Sequence, residues 1–525
     1  MIRSRRRRAL LVPATLLVIV GAVLLSTAMR LTPHVRDIVV TALNDRFDSK
    51  VALESLQVVA FPRPEVVGSG LAVRHRGRTD VPPLVAIQSF SSSAGLLGLM
   101  GTPLHLRTVE LEGLTIYLPP DRLHGSEPPG RKDAARPDSV TTDADHRSPI
   151  AIDRIVSRAA QLSIASKEAG KLPRVFDIHD LVLDGFAFDR AAAFKASLTN
   201  PTPRGRIETS GTFGPWHRDE PRRTPLGGHY DFKNADLDTI DGIGGLLSST
   251  GTYRGVLERV EVEGETNTPD FVVDIAGQPV PLKTRFKAVV DGTNGNTWLE
   301  QVEARVLSST ILARGAVVRT EDVKGRKVEL DVNVTDARIE DLLRLAVKSS
   351  RPPLTGAVTL KTRFVLPAGK QDVIRKLQLD GAFNLAQARF TDFNVQKRIN
   401  TLSSRGRGDE TDTAGESVVS NLRGRFVLRD AALRFHELTF AVPGAVVRLT
   451  GSYALDSEAL DFSGDLLLDA ALADTTSGIK AVAARIAQPL FRRSGGGSRL
   501  PIRVSGSRSK PVFGLDVKRA LTPGD

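Results

Sequence analysis

Apolar and polar residues alternate with a period of two along most of this chain. Within residues 449–476, Leu460, Phe462, Leu466, Leu468, Ala470 and Leu472 share one face of an extended segment. Asp461, Ser463, Asp465 and Asp469 share the other, and Leu467 breaks the pattern. That period is the signature of a strand with one buried face. It recurs in "VFDIHDLVLDGFAFD", "ERVEVEGE", "RKVELDVNV", "GAVTLKTRFVL" and "LRGRFVLRDAALRFHELTFAV", with Gly, Asn or Asp between the runs. From Ile150 to about Val517 the pattern predicts short antiparallel strands joined by turns.

A period of 3.6 interrupts the strands in three places. Val35, Ile38, Val39, Ala42, Leu43 and Phe47 predict a helix after residue 30, with Thr32 and Pro33 as cap and first-turn pair. "DARIEDLLRLAVKS", 336–349, predicts a second helix with an Asp cap. "GIKAVAARIAQPLFRR", 478–493, carries Ile479, Val482, Ala483, Ile486 and Leu490 on one stripe and ends in Arg492 and Arg493. It reads as a helix packed on the sheet end, with a membrane-surface helix as the alternative. In "LHLRTVELEGLTIYLPP" the apolar phase shifts at Gly113, and a bulge there would keep Val109, Leu111, Leu114, Ile116 and Leu118 on one face. Residues 119–149 hold six prolines and almost nothing apolar, which marks a linker or loop. Several turn-and-return units share a rhythm, but the period is too irregular for a sequence repeat.

The N-terminus departs from this pattern. "MIRSRRRR" precedes 21 uncharged residues, 9–29, including Ala9, Leu16, Leu17, Ile19, Val23, Leu24 and Met29. As a helix they would span about 32 Å, close to the ~30 Å hydrocarbon core of a bilayer. A cleaved signal peptide is the rival reading, but the run exceeds the usual apolar region of ~7–15 residues. Arg5, Arg6, Arg7 and Arg8 would stay cytoplasmic and send the rest of the chain across the membrane.

Composition narrows the chemistry. The net charge of +12 includes that arginine cluster, and no aromatic and basic stripe of a nucleic-acid binder follows. There is no cysteine, so disulfides and thiolate chemistry are excluded. No G-x-S-x-G elbow is present. "HELTF", 436–440, has Phe440 where a zinc-protease motif needs His, and it reads as a strand. "DGIGGLL", 241–247, lacks the Lys and Ser/Thr of a phosphate loop and reads as a turn, as does "DGTNGNT", 291–297. No catalytic residue, cofactor or metal ligand emerges, and the chain reads as a non-enzyme. Two Trp and four Tyr are too few for the aromatic girdles of an outer-membrane barrel.

A one-sided sheet of this length has two physical uses. Apolar faces can pair into closed sandwiches. Alternatively one long sheet can keep an apolar trough that acyl chains fill.

The basic N-terminus with one apolar segment, then "VRDIVVTALNDRFDSKVALESLQVVAFPRPEVVGSGLAV", "HLRTVELEGLTIYLPP" and "LRDAALRFHELTFAVPGAVVRLTGSYALDSEALDFSGDLLL", resembles the AsmA-like family of bacterial envelope proteins. One departure is "RDAALRF", where members often place an Asn-Gly type turn. The resemblance implies a mainly β fold: one N-terminal transmembrane helix, then an elongated, curved antiparallel β-sheet forming a taco-like groove, with a few short helices. The division it suggests is a basic tail (1–8), a membrane helix (9–29), an N-terminal module (30–118), a linker (119–149) and a periplasmic β-rich body (150–525) with the family's C-terminal region at about 420–517. It implies an inner-membrane protein that moves phospholipid between inner and outer membranes, with envelope or outer-membrane proteins as further candidate partners and no nucleic acid. Groove candidates are Phe426, Leu428, Phe435, Leu438, Phe440, Leu460, Phe462, Leu466 and Leu468. The alternative is a scaffold or assembly factor for outer-membrane proteins, without a conduit.

Overall fold

A computed structural model describes residues 30–516 apart from 46–48, 60–63, 76–80, 96–97, 100, 102, 119–147, 166–172, 218–222, 321–322, 350, 408–417, 471–496 and 509. The apolar segment 9–29, the linker 119–149 apart from its last two residues, and the helical pattern 478–493 lie outside the described residues. Among those described, no helix is long and apolar enough to cross a membrane. The fold is mainly β: a mostly antiparallel sheet of 26 strands with a few short helices. Packing divides the described residues into two units, the first those up to Ala235 with Ser248–Val262 and Val290–Asn294, the second the remainder.

In the first unit, β1 (Ser49–Ala52) and β2 (Ser55–Val59) both pair with β3 (Glu65–His75), which pairs with β4 (Val85–Ala94). β5 (Leu104–Glu112) and β6 (Thr115–Leu118) follow on β4. Gly113 separates them at φ +64, and Val109, Leu111, Leu114 and Ile116 all reach one cluster, but not through the expected bulge: Glu112 opposes Ser89 and Thr115 opposes Ala86, so the pairing with β4 gains no residue, and Leu118 is not in the cluster. β7 (Ile150–Ile164) lies parallel to β5 and β6, then β8 (Arg174–Ala187), β9 (Ala192–Pro201) and β10 (Arg204–Phe213) run antiparallel.

The helix spans 30–45 and lays Leu31, Val35 and Ala42 on this cluster, with Val35 fully buried. Thr32 does not act as the expected cap, because the helix already includes it and its hydroxyl accepts from Val58 N at 3.1 Å. Arg36 donates to Leu53 O at 2.8 Å, and Asn44 accepts from Val51 N. These bonds fasten the helix to β1, β2 and the turn between them.

Next in the chain come β11 (Pro225–Asp236), β12 (Ile243–Gly244), β13 (Leu246–Val256), β14 (Arg259–Val273) and β15 (Val280–Val290). The second unit is built on a meander. β16 (Thr297–Val306), β17 (Ser309–Arg319), β18 (Arg326–Arg338), β19 (Leu354–Leu366) and β20 (Gln378–Phe390) pair in sequence order. β21 (Ser420–Arg429), β22 (Ala432–Val442), β23 (Ala445–Ala454), β24 (Ala459–Leu468), β25 (Ser498–Ser507) and β26 (Lys510–Leu515) continue it. "HELTF" lies in β22, as its alternation predicts. "DGIGGLL" is a turn only at its start: Ile243 and Gly244 form a short strand opposite Val273 and Val272, Leu246 and Leu247 open the next strand, and Gly245 N between them donates to Asp238 Oδ1, with Gly242 and Gly245 at positive φ.

The predicted helix 336–349 is corrected. Strand β18 runs on through Arg338, and the helix is only Ile339–Leu343. Asp336 is not a cap; it sits at φ +52 in a bulge of β18 against β19. A second helix, Phe393–Arg407, has no counterpart in the predicted elements. Asp392 caps it by accepting from Val395 N at 3.1 Å, and Ile399 packs with Val442, Ala445 and Leu468.

Candidate functional site

Register converts the alternation of the second unit into rows. On one face Phe426 opposes Phe435, Phe435 opposes Gly451, and Gly451 opposes Phe462. The row continues to Val504 and Phe513. One row along, Leu428 opposes Leu433, Leu433 opposes Tyr453, and Tyr453 opposes Leu460. On the other side, Gly424 opposes Leu438, which opposes Leu449. Phe440 then opposes Val447, and Val447 opposes Leu466. Leu468 opposes Ala445 at the end of the face.

All nine groove candidates therefore lie on one face of β21–β24, but in two environments. Phe426, Leu428, Phe462 and Leu468 are buried by their neighbours. Phe435, Leu438, Phe440, Leu460 and Leu466 are half-buried. A sandwich core would bury both sets; a single sheet leaves the second accessible. Helices cover parts of this face. Phe393–Arg407 covers Leu466 and Phe440, and Ile339–Leu343 contributes Ile339 and Leu342 beside Val358 and Leu385.

Sequence reading missed the neighbouring strand. Phe383 of β20 lies 6.2 Å from Phe426 and 6.5 Å from Phe435 between ring centroids. The signal was present in "LQLDGAFNLAQARF", where Leu379, Gly381, Phe383 and Leu385 alternate with Asp380, Ala382 and Asn384. Leu379 opposes Leu428, and Leu385 opposes Leu422. Glycines intervene where rings need room: Gly381 opposes Phe426, and Gly424 opposes Phe383.

The opposite face is charged. Arg503 pairs with Asp461 at 3.1 Å, Arg499 with Asp465 at 2.9 Å, and Arg314 with Asp331 at 3.6 Å. Glu329 lies between Lys327 and Arg363, whose hydrogen bonds hold its carboxyl down at about 2. On the apolar face, burial raises the Tyr453 phenol above its ordinary value.

No group of His, Asp and Glu among the described residues can hold a metal ion. His105 meets only Asp153 in the described contacts, at 2.8 Å and in solvent, and His179 meets Thr199. A depression of about 660 Å³ in the second unit is flanked by Arg314, Asp331, Lys361, Arg363 and Asp380, which belong to the charged face. The arrangement can therefore hold an apolar ligand against one face and water against the other. No family model matches this chain, and no curated protein or solved structure matches it.

Proposed function

We propose that this chain is an AsmA-like envelope protein, held in the bacterial inner membrane by residues 9–29, whose apolar sheet face shelters the acyl chains of phospholipids passing between inner and outer membranes. The observation that carries the reading is the half-buried state of Phe435, Leu438, Leu460 and their row neighbours on a face that register makes continuously apolar. A face of Leu, Val and Phe that protein leaves partly open offers burial to something else.

The energy scale favours such a ligand. A phospholipid carries about 30 methylene groups, and exposing them to water at ~0.8 kcal/mol each costs on the order of 20 kcal/mol. A sheet with one apolar and one charged face removes much of that barrier without any catalytic group. The ion pairs of the charged face keep the other side wet.

A photo-activatable amino acid placed in the full chain, in cells, tests the reading. Leu433 and Leu438 on the apolar face should give phospholipid adducts, and Arg434 and Glu437 on the charged face should not. Equal labelling, or none at Leu433 and Leu438, overturns the proposal. Protein adducts in their place would make the chain a scaffold or assembly factor.

A further inference from the structure

The last strand of the second unit has an unprotected edge. All six residues of β26 are exposed, including Val512 at 59%, Phe513 at 66% and Leu515 at 54%. Its described pairing is with β25 alone. Edge strands are commonly short, charged or twisted away to prevent association. Here Lys510 and Pro511 stand at the start, and Val512-Phe513-Gly514-Leu515 follows without a charge.

Register shows which backbone groups face outwards. Asp516 N donates to Pro501 O at 2.9 Å, so this opposed pair is hydrogen-bonded. Bonded and non-bonded pairs alternate along an antiparallel ladder. Gly514 and Val512 therefore turn their amides towards β25, while Phe513 and Leu515 turn theirs to the free edge. Pro511, which has no N–H, falls on the outward phase, where an edge tolerates it.

We propose that a second copy of this chain pairs antiparallel along β26, about a two-fold axis at Phe513. In that register Phe513 exchanges both backbone hydrogen bonds with Phe513 of the second copy. Leu515 N donates to Pro511 O across the interface, twice by symmetry. Lys510 then stands opposite Asp516 of the second copy, so opposite charges meet at both ends of the paired segment. Val512 stands opposite Gly514, where an added Cβ would meet nothing within 4 Å, so the valine has room. The strand is its own complement in hydrogen bonding, charge and volume, which an unrelated peptide would match only by coincidence. The apolar row of Val504 and Phe513 would continue into the same row of the second copy. The pairing rests on this edge alone and does not depend on a lipid occupant.

The chain has no cysteine, which makes the test specific. Single cysteines are placed at 511, 512, 513, 514 and 515 of the full chain in detergent micelles, which are then oxidised. Covalent dimer should peak for Phe513→Cys, the residue on the axis, and fall on both sides. Separately, Lys510→Glu and Asp516→Lys should each raise the dimer Kd about tenfold, and the double reversal should restore it to within about threefold. Circular dichroism of each variant confirms that the exposed changes leave the fold intact. A monomeric full chain, a crosslinking peak away from 513, or a double reversal that fails to restore association overturns the proposal.

Discussion

Phe435 and Phe462 sit two strands apart on the same face, with ring centroids 5.9 Å apart and planes inclined by 39°. Gly451 of the strand between them makes this possible, because it opposes both. A Cβ there would overlap Asp461 O and lie 2.6 Å from Phe462 Cα and 2.9 Å from Phe462 Cδ1. The rings occupy the space that a side chain would otherwise need. With Phe383 and Phe426 they form an aromatic patch, buried at Phe426 and Phe462 and half-open at Phe435.

Gly451→Val should therefore overpack the patch and destabilise the protein by about 2 kcal/mol, within the range for inserted core volume. Phe462→Ala should also destabilise it, by about 3 kcal/mol, through lost burial and a residual cavity. In the double variant the two costs should largely add, because the valine still meets Asp461 O and the Phe462 Cα, which the alanine leaves in place. Urea midpoints of the four proteins measure this, and a double variant no less stable than Gly451→Val alone would show that the valine meets the Phe462 ring and not the backbone.

The two environments of the apolar face predict different outcomes for an introduced charge. Phe462 is 7% exposed, so Phe462→Asp leaves an unpaired charge in a packed site and should prevent folding. Leu433 is half-buried, so Leu433→Glu can reach water and should keep a cooperative thermal transition. It should nevertheless abolish lipid labelling from a probe at Leu438. Equal tolerance at both positions would mean that the distinction between packed and open parts of the face is wrong.

Asp341 is buried at 7% exposure and takes three hydrogen bonds from the turn between β16 and β17. Ser308 donates from its amide at 3.1 Å and its hydroxyl at 2.6 Å, and Ser309 Oγ donates at 2.8 Å. Asp341→Ala strands these donors and should cost about 2–3 kcal/mol. Asp341→Asn keeps an acceptor and should cost less, as read from chemical denaturation. An Asn variant as unstable as the Ala variant would contradict this account.

Glu329 gives a pH-dependent prediction. Its carboxyl is depressed from 4.5 to about 2, first by the Lys327 hydrogen bond and then by that of Arg363. The folded state thus binds this proton less tightly than the unfolded chain. The pair's contribution to stability is present above pH 4.5 and is lost as pH falls towards about 2. The group is exposed, so the effect is small and screened by salt. The carboxyl carbon resonance should titrate near pH 2 at low salt and move towards its ordinary value in 1 M salt. A midpoint near 4.5 at low salt would show that the ion pairs do not hold in solution.

The strands were the most legible part of the sequence, because a period of two survives wherever one face is apolar and the other wet. The nine candidates are not in one strict phase: Phe435 precedes Leu438 by three residues, and a register shift in β22 brings the two to one face and Phe435 beside Phe462. What the alternation could not show is which of them are packed, since that depends on glycines of neighbouring strands such as Gly381, Gly424 and Gly451. The helix Phe393–Arg407 was missed because its apolar positions are sparse and its polar Gln396 is buried, bonded to Phe390 N and Val418 O. Asp392 was the available signal. The helix at 336–349 was overextended because "DARIEDLL" carries a helical period while Ala337 remains paired with Val358 in the sheet.

Lipid held on the apolar face should stay with the chain through isolation. The most direct measurement is on the chain lacking residues 1–29, purified from cells without detergent and checked for a cooperative thermal transition. Its organic extract is quantified by mass spectrometry against a mock purification. The expected result is phospholipid in molar excess over the chain, reduced severalfold by Leu433→Glu. A folded protein with no phospholipid above the mock would contradict it.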